Sequence, residues 1–215
     1  MIVYLLLLFP VAVFAYGIGS MDTLVLASNY IFRFNLLRLG KGNDWLSNFR
    51  RVYGLKGAIG LLLAEAIKDS VPIIIGGLLL GLKGHPEAGR AFAGFCLVFG
   101  RCFPVFYRFK GSRAVMPLIF TALYSASSLG IVTAAVFVLG AVLIRYSTAA
   151  TVISALACIV VSLLVVEDKL CILLISFACA AVVIRSIPDL RRMFRGAEEK
   201  LAVREDLGYK FDLKF

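Results

Sequence analysis

Histidine is nearly missing from this chain, with His85 the one instance in 215 residues. With it go the arrangements on which many hydrolases and metalloproteins are built. There is no HExxH, no HxxxxD and no Ser/His/Asp order, and no GxxxxGK[ST] loop takes their place. His85 itself, in "KGHPEAG", has neither a nucleophile nor a metal-binding companion and reads as a loop residue on the outer side. Cysteine occurs five times, at Cys96, Cys102, Cys158, Cys171 and Cys179, but never as CxxC. Each lies in or beside an apolar stretch, a placement that fits small reduced hydrophobes better than a zinc site or a disulfide framework. No metal and no cofactor is expected. Charge is scarce at 17% of residues, and acid is scarcer than base, with 13 Asp and Glu against 23 Lys and Arg. A chain this poor in charge is not an ordinary soluble domain.

What is present is apolar: 61% of residues are hydrophobic and the mean hydropathy is +0.94. Windows near or above the roughly 18 residues that cross a hydrocarbon core of about 30 Å recur along almost the whole length. The expectation is an all-α integral membrane protein with about seven transmembrane helices, near 2–20, 56–82, 88–107, 114–127, 129–145, 148–166 and 168–186. "YSASSLG" at 124–130 is the turn that divides the fourth from the fifth. Residues 1–195 then form one membrane domain, and 196–215 form a charged cytoplasmic tail.

The net charge of +10 would raise the question of nucleic acid in a soluble protein; here the cations sit between apolar spans and set orientation instead. Arg33, Arg38, Lys41, Arg50, Arg51 and Lys56 follow the first span, Arg108, Lys110 and Arg113 the third, Arg145 the fifth, and Arg185, Arg191, Arg192 and Arg195 the last. The alternate connections are mixed or neutral. An outside N-terminus and a cytoplasmic C-terminus satisfy every loop. The opening "MIVYLLLLFPVAVFAYGIGS" lacks the positive n-region of a signal peptide and reads as a retained first span.

Three basic, polar loops fall on one side. In "LGKGNDWLSNFRRVYG", from Leu39 to Gly54, Gly40 and Gly42 expose backbone amides while Asn43, Ser47, Asn48 and Arg51 add donors, a composition suited to phosphate oxygens and equally to anionic lipid. In "GRCFPVFYRFKGSRA", Pro104 ends the third span, and Lys110, Gly111, Ser112 and Arg113 lead into the fourth, where a helix N-terminus favours an anion. "IRYSTAAT" adds Arg145, Tyr146, Ser147 and Thr148. Within the second span Glu65, Lys68 and Asp69 share one face, and charges at that depth must face protein or water. Glu65 and Lys68 are expected to pair, as a brace or in catalysis.

Taken together, these loops resemble the bacterial acyl-phosphate:glycerol-3-phosphate acyltransferase family, whose first loop reads GSGNxGATNxxRxxG. Gly40, Gly42, Asn43, Asn48, Arg51 and Gly54 match it in register. Glu65, Lys68 and Pro72 meet its D-x-x-K-G-x-x-P, with Asp69 at the glycine. Gly100, Pro104, Val105, Phe106, Phe109, Lys110, Gly111 and Val115 meet its GHxxPvfxxFkGGKGvAT, and Arg145, Tyr146 and Thr148 its third motif. The family's serine is Lys41 here, its second-loop histidine is Arg101, its GGKG is Gly111, Ser112, Arg113 and Ala114, and a late histidine and asparagine align with Ser186 and Asp189.

The resemblance implies acyl transfer from acyl phosphate to glycerol 3-phosphate at a bacterial cytoplasmic membrane, among membrane lipids. It places substrate phosphates at Gly40, Gly42, Asn43, Asn48, Arg51, Lys68, Arg101, Lys110, Gly111, Arg113, Arg145 and Thr148, and assigns catalytic positions to Asp189, Ser186 and Lys41. The general base would be Asp189, Asp44, Glu65, Asp69 or the substrate phosphate. Two other readings stand beside it. One is a catalytically inactive member that binds a lipid phosphate or a protein partner of unknown identity; the other is a small-solute transporter using the Glu65, Lys68 and Asp69 face.

Overall fold

The computed structural model describes residues 2–23, 45–109 and 111–196, and among these every regular element is helical. Seven α-helices follow one another: α1 Ile2–Ser20, α2 Trp45–Gly81, α3 Pro86–Cys102, α4 Val115–Ser125, α5 Ser127–Ile144, α6 Ser147–Val165 and α7 Lys169–Phe194, with one 3-10 turn at Val105–Tyr107. By length and composition α5, α6 and α7 can each cross a bilayer. α2 and α3 carry Glu65, Lys68, Asp69, Arg90 and Arg101, which lower their hydropathy without making them surface helices, because Glu65, Asp69 and Arg101 are buried.

α3 is the central post. α1, α2, α4 and α7 all pack against it, while α5 packs on α6 and α6 on α7. Close crossings are made where side chains are missing. A Cβ on Gly19 would strike the Leu97 backbone, and one on Gly100 would strike that of Tyr16. At this crossing the Tyr16 hydroxyl donates to the Phe103 carbonyl at 2.8 Å and Ser20 Oγ to the Gly100 carbonyl at 3.3 Å. Small residues that let two backbones meet are what hold helices together where lipid supplies no hydrophobic drive. Leu118, Leu129, Ile175 and Val182 fill the centre among α3, α4, α6 and α7.

Three boundaries differ from the sequence expectation, one of them the end of the third helix, at Cys102 rather than near 107. The second helix begins at Trp45 rather than near 56, so the second half of the loop motif is helical; no glycine or proline interrupts 45–53, and leucine and arginine favour the helix. The division in the 114–145 region does occur, at Ala126, whose extended φ/ψ of −153°/126° ends α4 and starts α5. α4 has 11 residues, about 16 Å of helix, half of a bilayer core. The last helix runs on to Phe194, beyond the expected end near 186. The tail from 197 to 215 lies outside the described residues.

Candidate active site

The chain between α3 and α4 is short of ordinary turn residues yet tightly bent. Arg108, Phe109 and Ala114 all have positive φ, at 52°, 61° and 48°. Such backbone costs about 1 kcal/mol or more per residue outside glycine and persists only where its surroundings enforce it. The enforcement is visible. The Phe109 amide donates to the Pro104 carbonyl at 2.9 Å, and the Ser112 amide to the Arg101 carbonyl at 3.2 Å. Gly111 is wedged against the Arg101 and Cys102 carbonyls and Pro104, where a Cβ has no room. From α7, Arg185 closes the bend by donating both Nε, at 2.9 Å, and Nη2 to the Gly111 carbonyl.

That bend delivers Arg113 to a meeting point of three helices. Its Nη1 donates to Thr148 Oγ1 at the start of α6, and its Nε lies 3.9 Å from Asp189 Oδ2 near the end of α7. Thr148 is fully buried. Ser186, one turn before Asp189, is also buried and donates to the Val182 carbonyl at 2.7 Å. Arg145 is exposed at the α5–α6 corner, in the left-handed conformation with φ of 61°, three residues before Thr148. The sequence singled out Gly111, Arg113, Thr148, Ser186 and Asp189 as candidates, and the fold brings Arg113, Thr148 and Asp189 into contact. Gly40, Lys41, Gly42, Asn43, Asp44 and Lys110 lie outside the described residues. Asn48 and Arg51 stand on the first turns of α2, where the backbone is described and the side chains are not.

A second polar cluster joins the end of α1 to α2 and α3, and it corrects the expected pairing. Glu65 binds Arg101, not Lys68: Arg101 Nη2 is 2.5 Å from Glu65 Oε1. The same guanidinium reaches Asp22 at 3.6 Å and donates to the Met21 carbonyl at 3.1 Å. Lys68 turns instead to its neighbour Asp69 at 3.3 Å and donates to the Met21 carbonyl at 3.0 Å. The physical reason is reach and geometry. Arg101 enters from α3 with a planar fork that suits a buried carboxylate, whereas Lys68, three residues along the same helix, is drawn to the α1 terminus. Arg101 and Lys68, both expected to hold phosphate, are here bound to carboxylates and to the end of α1. The cluster is joined to the bend, because the Arg101 carbonyl receives Ser112.

Arg185 escaped the sequence reading, which counted it only among the orienting charges after the last span. Its role is set by a long-range contact across 74 positions. Arg185→Met frees the Gly111 carbonyl and loosens the bend that aims Arg113. In a steady-state assay of the activity proposed below, we expect kcat/KM to fall about tenfold, carried mainly by KM, equivalent to about 1.4 kcal/mol. Arg185→Lys, which keeps one donor, should recover part of the loss; equal losses in both variants would contradict the clamp.

A bent, basic loop meeting a buried helix junction, inside a bundle of apolar helices, defines a polytopic membrane protein with a cationic junction at one end. Comparison with known proteins gives the class its family. Residues 9–196 match the family model described as glycerol-3-phosphate acyltransferase, and the chain belongs to that family. A glycerol-3-phosphate acyltransferase of Francisella philomiragia is 30% identical over 198 residues, covering 90% of this chain and 92% of the relative. One from Thermoanaerobacter pseudethanolicus is 21% identical over 196 residues, covering 91% and 96%. Among solved structures, the integral membrane glycerol 3-phosphate acyltransferase PlsY (YgiH) in its glycerol 3-phosphate form superposes with a TM-score of 0.75 at 18% identity, over 90% of this chain and 94% of that one. Its lysophosphatidic acid form gives 0.73. At that identity the superposition speaks for the fold.

Proposed function

We propose that the protein transfers a fatty acyl group from acyl phosphate to glycerol 3-phosphate, yielding lysophosphatidate and inorganic phosphate at a bacterial cytoplasmic membrane. The observation that carries this is Arg113 held between Thr148 and Asp189 beside the Gly111 bend, in a chain of this family. The acceptor hydroxyl oxygen bonds to the acyl carbonyl carbon, the bond from that carbon to the phosphate oxygen breaks, and phosphate leaves with the electron pair. Arg113 and Lys110 bind phosphate oxygens, the arginine through its two-pronged fork. Gly40, Gly42, Asn43, Asn48 and Arg51, with Lys41 beside them, hold the second phosphate; Arg145 and Thr148 line the same mouth.

Asp189 orients the Arg113 fork and takes the hydroxyl proton, and Ser186 supports the Asp189 turn. Asp189 is the carboxylate placed at the bend, beside Arg113, whereas Glu65 and Asp69 lie in the cluster at the end of α1.

The charge distribution supports seven crossings with the N-terminus outside and the C-terminus, with a charged tail from 196, in the cytoplasm. Residues 1–195 act as one membrane domain. Ser112 is level with the last turn of α3 through its bond to Arg101, so the bend and the short α4 together make the fourth passage.

Purified protein supplied with acyl phosphate and glycerol 3-phosphate is expected to release lysophosphatidate and phosphate in equal amounts. Absence of both above a heat-inactivated control, over several acyl lengths, would sink this reading in favour of an inactive, phosphate-binding member of the family.

A further inference from the structure

At the end of the bundle away from Arg113 the helices do not finish together. Arg90 lies in the second turn of α3 and Arg101 in its last turn, about 16 Å apart along the axis. α4 stops level with Arg90, whose Nη1 donates to the Tyr124 carbonyl at 3.4 Å. The chain reverses at Ala126, one turn short of the start of α3 at Pro86. α2, by contrast, continues to Gly81. The missing turn of α4 leaves a groove of about 910 Å³ bounded by Ile74, Leu78, Leu82, Pro86 and Leu123, with Arg90 inside it. Ile74 and Leu78 on α2, and Leu82 just past its end, recur every fourth residue, and all three are exposed. A stripe of that kind on a membrane helix faces acyl chains.

Arg90 is the charged residue in this lining, which also includes Tyr124, Ser125 and Ser127 at the α4–α5 turn, and the structure makes room for it. A Cβ on Gly77 would sit 2.7 Å from Arg90 Cγ, 3.1 Å from its Nε and 3.4 Å from its Cδ, the three nearest atoms. The side chain therefore lies flat across a glycine notch in α2. Its guanidinium has five N–H donors, and among the described residues they meet one carbonyl and no carboxylate. A cation left mostly unmatched among lipid-facing aliphatic side chains is costly unless an anion or water meets it.

We propose that this groove binds a phosphate-bearing glycerolipid, with the phosphate on Arg90 and an acyl chain along Ile74, Leu78 and Leu82. The occupant is fixed by the two chemistries present together. Exposed apolar walls in the plane of the bilayer take hydrocarbon, and a forked cation at their end takes a phosphate. Inorganic phosphate satisfies only the second, and a neutral diacylglycerol only the first. The site is separate from the Arg113 junction and does not depend on the reaction proposed there.

Native mass spectrometry of the detergent-purified protein tests it with phosphatidylglycerol and with diacylglycerol of the same chains. The wild-type protein is expected to retain one phosphatidylglycerol about tenfold more strongly than diacylglycerol, and Arg90→Gln to erase that difference. Gly77→Ala, whose added methyl meets Arg90 first, is expected to weaken phosphatidylglycerol retention while leaving diacylglycerol unchanged. Equal retention of the two lipids by the wild type, unaltered preference in Arg90→Gln, or a second copy of the chain in place of lipid would each overturn the proposal. Lysophosphatidate formation by both variants at the wild-type rate shows that they are folded and that the acyl-transfer end is untouched.

Discussion

Arg113→Ala is expected to lower kcat/KM for acyl transfer by roughly 30- to 1,000-fold, the equivalent of about 2–4 kcal/mol for losing a charge-assisted contact to a phosphate in a low-dielectric pocket. The size follows from position. Arg113 is brought to the end of a bend that three positive-φ residues, the Gly111 wedge and two Arg185 hydrogen bonds maintain, and its fork is oriented by Thr148 and Asp189. Removing the fork takes a donor from those two partners and from the substrate phosphate. Arg113→Lys keeps the charge but offers a point in place of a plane, so it should retain a measurable fraction of the rate with a raised KM. Steady-state kinetics on both variants give the comparison. An alanine variant within about threefold of the wild type would remove Arg113 from the site.

The sequence carried much of this because the chemistry of an anion site is written in local patterns. Gly111, Arg113, Thr148, Ser186 and Asp189 were all singled out by loop composition or by motif register, and three of them, Arg113, Thr148 and Asp189, meet in the fold. The break at Ala126 was legible from "YSASSLG", since serine and glycine between two apolar runs leave little other reading. The helical start at Trp45 was not, because glycines and asparagines before it gave the whole stretch the look of a loop. Arg185 was out of reach for a different reason: a cation after a membrane span has an ordinary explanation in topology, and only a tertiary contact to Gly111 gives it another. The groove at Arg90 depends on where α4 stops relative to α3. That is a relation between two helix ends, and neither end carries it alone.

The pairing of Glu65 was misread from helix geometry, which favours partners three or four residues away. Family register contained a better signal. The position where the family has aspartate holds the longer Glu65, and the position of its second-loop histidine holds Arg101, so a carboxylate and a cation were altered in the same chain. Such paired departures are what a buried ion pair between α2 and α3 would leave behind. They suit a strut holding the end of α3, from which the bend departs, and they tie Arg101 to a carboxylate of α2.

Breaking that strut should be the most destabilising single change among the described residues. Arg101→Met removes the cation from Glu65, which is 1% exposed, and leaves its carboxylate buried with Lys68 already turned to Asp69 and Met21. Stranding one member of a buried pair costs about 3–5 kcal/mol. Glu65→Gln should cost less, because Asp22 and the Met21 carbonyl still receive the guanidinium. In the double variant Glu65→Leu with Arg101→Met neither charge remains, and apolar side chains of similar volume restore most of the loss. The five buried free cysteines, Cys96, Cys102, Cys158, Cys171 and Cys179, provide the readout, since a thiol-reactive dye in detergent labels them as the bundle opens on heating. In falling order of melting temperature the expected series is wild type, then the double variant, then Glu65→Gln, then Arg101→Met. If Arg101→Met melted with the wild type, the pair would contribute nothing to the fold; if the double variant melted with Arg101→Met, the loss would come from packing around Arg101 and not from a stranded charge.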